Sequence, residues 1–124
     1  LDYKEKKTHK KEASASIITG FIDDAKFFVG MNERANQKIL ELAKASDLWF
    51  HLKDMPSSHM IVRPSTKRLN QRQIYEFAKL CAQYGANKKD RFLVDYTLRK
   101  FVRIQEGAKV LYTHQKTLHV DLRS

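Results

Sequence analysis

The sequence predicts an α+β fold: a mixed or antiparallel β-sheet with two helices packed on one of its faces. Three observations carry that expectation. Short apolar, β-branched and aromatic runs of strand length occur within 17–30, 47–62 and 92–122, with period-two spacing in 47–52; apolar residues repeat at three-to-four spacing in 32–45 and 70–85, and turn-forming residues divide these segments.

Taken in order, residues 1–14 alternate charges without apolar periodicity and are expected to be a charged tail or the end of a solvated helix. The domain is expected over 15–124. Ile17, Ile18, Phe21 and Ile22, the pair Asp23-Asp24, and Lys26 to Gly30 read as a hairpin. Residues 32–45 read as a helix through Ile39, Leu40 and Leu42-Ala43. Residues 47–52 and 59–62 are predicted strands joined by a loop containing Pro56. The second helix is predicted from a cap at Asn70, with Gln73 three residues on as its capping-box partner, to a stop at Gly85. Ile74, Phe77, Ala78, Cys81 and Ala82 form its apolar stripe, which turns Arg72, Lys79 and Gln83 outward. Strands are expected at 92–95, 98–104 and 110–113, and 117–122 closes the chain.

The strand at 47–52 is the most informative. Strand side chains alternate, so Leu48, Phe50 and Leu52 feed a core while Asp47, Trp49 and His51 share the other side. A carboxylate, the chain's single indole and an imidazole in one row can hydrogen-bond, stack and titrate near neutral pH. A lone strand tryptophan is more often a core anchor than a ligand platform, but the apolar side of this strand is already filled. The row is therefore expected to face solvent and stack on unpaired bases.

Charge points the same way. Lys and Arg total 24 against 14 Asp and Glu, a net charge of +10. Residues 63–124 carry fourteen basic against five acidic residues, while residues 13–62 carry five against six. A basic face of this kind suits a polyanion. Arg63, Lys67, Arg68 and Arg72 surround the start of the second helix, Arg99 and Lys100 lie on a later predicted strand, and Lys53, Ser58, His59 and Tyr96 complete the expected nucleic-acid contacts.

Several chemistries are not expected. Asp47 and His51 would stand about 13 Å apart along a strand, too far for an acid/base pair. No Gly-x-Ser-x-Gly elbow, no glycine-rich phosphate loop, and no cysteine pair or His-x-x-x-His helix is present, so neither catalytic residues, cofactor nor metal is expected. His51 and His59 flank a loop able to bring them together, but two histidines without a third ligand make a weak metal site. One cysteine, Cys81, forms no internal disulfide, and no apolar run approaches the roughly 18 residues a membrane span needs. A soluble, cytoplasmic protein with no membrane partner is expected. The chain opens on Leu1 rather than Met and is therefore expected to be a piece of a longer protein or a processed product.

Asp47-x-Trp49-x-His51, then Pro56-Ser57-Ser58-His59, then an apolar strand ending in Arg63, resembles the NFACT-R domain, the C-terminal RNA-binding module of the NFACT proteins. The likeness continues in Gly20-Phe21, Val29-Gly30 and Asn32, in Val94-Asp95-Tyr96-Thr97, and in Lys116-Thr117-Leu118-His119-Val120-Asp121. Met31 stands where the family usually has Arg, and Ser57 where it has Gly. The resemblance implies an RNA-binding module, not an enzyme, within a longer NFACT chain whose coiled coil would end near residue 14. Such proteins engage obstructed large ribosomal subunits, recruit tRNA and extend the stalled nascent chain without mRNA, in bacterial members largely with alanine. The resemblance also brings in a rival, since some family members are named fibronectin- or fibrinogen-binding proteins. A small RNA-modifying enzyme using Asp47 and His51 is the third class.

Overall fold

The structure, a computed structural model, describes residues 16–86 and 88–123. The predicted tail, residues 1–14, lies outside the described residues. Strand β1 (Ile17–Ile22) folds back on β2 (Ala25–Gly30) with Ile22 opposite Ala25, leaving Asp23 and Asp24 as the turn. Asp23 supplies the left-handed backbone, φ 54°, that so tight a reversal requires. Helix α1 (Glu33–Leu42) starts at Asn32, whose side-chain oxygen accepts from the Ala35 amide at 2.8 Å. Strands β3 (Leu48–Leu52) and β4 (Met60–Arg63) follow, and then helix α2 (Gln71–Ala86). The predicted capping box is formed reciprocally: the Gln73 amide donates to Asn70 Oδ1 and the Asn70 amide to Gln73 Oε1, both at 2.9 Å.

Strand β5 (Arg91–Leu98) runs into a 3-10 turn, Arg99–Phe101, before β6 (Val102–Glu106), β7 (Lys109–Tyr112) and β8 (Lys116–Asp121). All pairings are antiparallel, in a six-stranded sheet of order β1-β2-β4-β3-β5-β8 and a separate β6-β7 ribbon. The fold is α+β as expected.

Three details differ from the sequence reading. The helices lie on opposite faces of the sheet. Phe50, Leu52, Met60, Val62 and Val94 meet the α2 stripe of Ile74, Phe77, Ala78, Cys81 and Ala82, whereas Trp49 and Ile61 meet Ile39 and Leu40 of α1 and Val102 of the ribbon. Adjacent strand residues point to opposite sides, so a sheet with apolar residues in both registers needs a cover on each. Next, residues 98–104 do not form one strand: Arg99 and Lys100 sit in the 3-10 turn that carries the chain from the sheet to the ribbon. Finally, Gly85 lies within α2 and does not stop it. A β-carbon there would stand 2.9 Å from Ser57 Cβ and 3.1 Å from Leu52 Cδ1, so the glycine permits close approach of helix and loop. No helix among the described residues is long and apolar enough to cross a membrane.

Candidate nucleic-acid interface

The row Asp47, Trp49, His51 is on one side of β3 as predicted, but that side is covered. Trp49 is 0% exposed, packed under α1 and against Tyr112 of the ribbon with ring centroids 4.5 Å apart. The expected open stacking platform is corrected to an anchor of the second core. The indole N–H donates to His59 Nδ1 at 2.9 Å. Because an indole only donates, that nitrogen must be unprotonated, which places the neutral ring's proton on Nε2. Burial, with His51 alongside, pulls the His59 pKa down to about 3, against a smaller upward effect of the Ala108 backbone.

Asp47 is equally enclosed. Its carboxylate accepts from the Lys44 amide at 2.8 Å and from Arg63 Nε and Nη2, the latter also at 2.8 Å. That bidentate bond raises the Arg63 pKa and joins the end of β4 to the loop before β3. Neither residue of this pair is open to a ligand through those atoms. His51 stacks on Trp49, centroids 5.6 Å apart and planes 10° apart, and stands 4.6 Å from His59. Its Nδ1 lies 2.6 Å from the Leu52 carbonyl, which only accepts, so this nitrogen holds the proton. Burial lowers its pKa, opposed by the Leu52 carbonyl, Asp95 and the Ser57 backbone. Asp95 is itself buried and accepts from Tyr112 Oη at 2.6 Å and Thr117 Oγ1 at 2.5 Å, with the Lys53 ammonium at 3.7 Å.

Above these rings opens a cleft of about 850 Å³, backed by His51, His59 and Tyr112 and walled by Ser57 and Ser58. Ser57 braces the wall, accepting from the Leu52 amide at 3.2 Å and donating to the Ser58 carbonyl at 3.1 Å. The charged residues lining the cleft are Glu33, Asp54 and Lys109. Its field does not single out an anion.

A second groove, of about 750 Å³, lies at the other ends of β3 and α2. Leu48, Ile74 and Leu98 line it, and its charged lining residues, Arg68 and Lys116, are both basic. Phe101 and His114 stack at its rim, centroids 4.0 Å apart and planes 22° apart, with the Lys100 ammonium 5.2 Å from the Phe101 centroid. His114 holds φ 61°, a left-handed backbone uncommon for residues with a β-carbon. Phe101, His114 and Lys116 are not among the contacts expected from the sequence, where the one signal for this groove is an aromatic directly after Arg99-Lys100.

The other expected contacts divide. Lys67 and Arg68 are exposed. Arg72 bonds Asp23 at 2.7 Å, and Arg99 donates to the carbonyls of Leu40 at 2.9 Å and Val102 at 2.6 Å, tying α1 to the ribbon. Tyr96 is 7% exposed and stacks on Phe50 in the core, so it offers little ring surface for a base. No group of three His, Cys, Asp or Glu placed to hold a metal occurs among the described residues.

No known family model matches the chain. It is 35% identical over 97 residues to the "Rqc2 homolog RqcH" of Bacillus subtilis, a match taking in 74% of this chain and 17% of that protein. The protein of the same name from Streptococcus suis is 29% identical over 121 residues, 92% of this chain and 21% of that one. Among solved structures, the C-terminal part of the fibronectin/fibrinogen-binding protein of Streptococcus suis superposes with a TM-score of 0.69 at 28% identity, covering 79% of this chain and 41% of that one. The chain spans about a fifth of the length of the curated relatives it matches.

Proposed function

Because the chain belongs to the NFACT family of ribosome-associated quality control factors, we propose that it is the RNA-binding module by which a longer NFACT chain holds tRNA and the large ribosomal subunit. In this reading the module works in the cytoplasm and positions RNA while the stalled nascent chain receives its C-terminal tail without mRNA. It carries out no reaction itself.

The observation that supports the reading is where the free charge lies. Of the basic excess in residues 63–124, Lys67, Arg68, Lys100 and Lys116 are exposed and engaged in no ion pair among the described residues. Their chemistry suits phosphate, and phosphate contacts release counterions. Neutralising four phosphates should weaken binding by about 50- to 150-fold as salt rises from about 50 to 200 mM.

The test is equilibrium binding of the chain to tRNA and to purified large-subunit RNA across that salt range, with fibronectin measured in parallel. Steep salt dependence with RNA as the tighter ligand is expected. Fibronectin bound more tightly than either RNA at matched salt would replace this reading with the adhesive one that the name of the solved Streptococcus suis relative raises for that protein.

A further inference from the structure

We propose that the groove between the start of α2 and the 3-10 turn after β5 admits an unpaired nucleotide of the bound RNA. Its base stacks on the Phe101–His114 pair, and its neighbouring phosphates are held by Arg68, Lys100 and Lys116. This rests on the RNA reading above and gives it a site.

Four features of the groove converge on that ligand. First, two rings are already stacked at its rim, 4.0 Å apart and 22° from parallel, with His114 exposed and Phe101 half-buried, so one face of a two-ring platform stays open. Stacking on such a platform needs only a π-face and therefore suits any base. Second, the charged residues lining the groove are cationic, and Lys100 adds an exposed ammonium directly over Phe101. Third, the aliphatic lining of Leu48, Ile74 and Leu98 gives a base edge or ribose an apolar surface beside those charges. Fourth, His114 is held in a left-handed backbone conformation, and it is from there that its ring lies flat on Phe101. A paired base keeps its face buried in the helical stack, so only a loop, bulge or single strand can use the platform.

Charge complementarity decides between this groove and the His51 cleft as the entry point. The cleft sets Glu33 and Asp54 against Lys109, and burial lowers the pKa of both its imidazoles, whereas no acid among the described residues lines the groove.

The experiment compares two RNA probes with the same number of phosphates, a hairpin with an unpaired loop and a blunt duplex, titrated into the full chain and its His114→Ala, Phe101→Leu and His114→Tyr variants. Circular dichroism and thermal melting establish that each variant is folded. The wild-type chain is expected to prefer the hairpin. His114→Ala should weaken hairpin binding about 5- to 100-fold and leave duplex binding unchanged, and the aromatic replacement His114→Tyr should restore most of the hairpin affinity. A photoreactive uridine in the loop should crosslink to the peptide containing His114. If folded His114→Ala and Phe101→Leu bind the hairpin as the wild type does, while salt-sensitive RNA binding persists, the groove proposal is overturned and the RNA reading stands. A wild-type chain that binds neither probe overturns both. A loss shared equally by hairpin and duplex overturns the stacking site.

Discussion

The His51 cleft and the Phe101 groove are similar in size, about 850 and 750 Å³, and sit at opposite ends of β3 and α2, yet they are built differently. The cleft is backed by polar groups already engaged within the protein, Trp49 with His59 and Asp95 with Tyr112 and Thr117. The groove is open chemistry, with exposed cations and a half-exposed ring pair that have few partners within the protein. The most recognisable sequence motif belongs to the framework. A motif can thus mark residues that hold a domain together, while the surface proposed here to meet RNA is assembled from less conspicuous positions.

Trp49 tests this contrast most severely. Trp49→Ala would remove the largest buried side chain of the second core and leave His59 Nδ1 and the Tyr112 face without their partner. A loss of about 3–5 kcal/mol is expected from urea unfolding, with RNA affinity of the protein that remains folded unchanged. A variant that kept its stability but lost RNA binding would show the row to be a contact surface and dissolve the distinction.

His59 gives a smaller effect with a defined sign. Its pKa is about 3 in the folded chain and near 6.5 when unfolded. Above pH 6.5 both states are neutral and the full stability is present. Between pH 6.5 and about 3 the unfolded chain takes up a proton that the folded chain refuses, so stability falls by about 1 kcal/mol per pH unit. The lowered pKa of His51 acts in the same direction. Unfolding free energies measured from pH 7 to 5, above most carboxylate titrations, should show the slope, and His59→Gln should reduce it. An unchanged slope in the variant would mean that the Trp49–His59 bond does not exclude the proton.

Much of the frame was legible because it is local. The Asp23-Asp24 turn, the Asn70–Gln73 capping box, the α2 stripe and the Leu48, Phe50, Leu52 face each depend on residues a few positions apart. What failed was long-range. A strand that alternates Leu and Phe with Asp, Trp and His looks wet on one side, and only the return of α1 and of the ribbon from residues 102–112 shows that it is not. The polar atoms tolerate burial because Arg63 and His59 come from the next strand and its loop to satisfy them. The groove escaped notice for the same reason: Arg68, Phe101 and His114 are scattered along the chain and share no period. A count of cations likewise does not reveal which already have partners, as Arg99 has in the Leu40 and Val102 carbonyls and Arg72 in Asp23.

The mildest test concerns the rim of the groove itself. Asn70 lines it and also caps α2, its side-chain oxygen accepting from the Gln73 amide at 2.9 Å. That oxygen is engaged in the cap, so Asn70 should matter to the helix and not to the ligand. Asn70→Ala removes one acceptor from the first turn and is expected to cost about 1 kcal/mol of stability. Gln73 can still accept from the residue 70 amide, because that donor belongs to the backbone. Hairpin RNA affinity should stay at the wild-type value, in contrast to the loss expected for His114→Ala on the same rim. If Asn70→Ala weakened RNA binding as much as His114→Ala, the first turn of α2 would itself be part of the contact, and the groove could no longer be described as a ring platform flanked by side-chain cations alone.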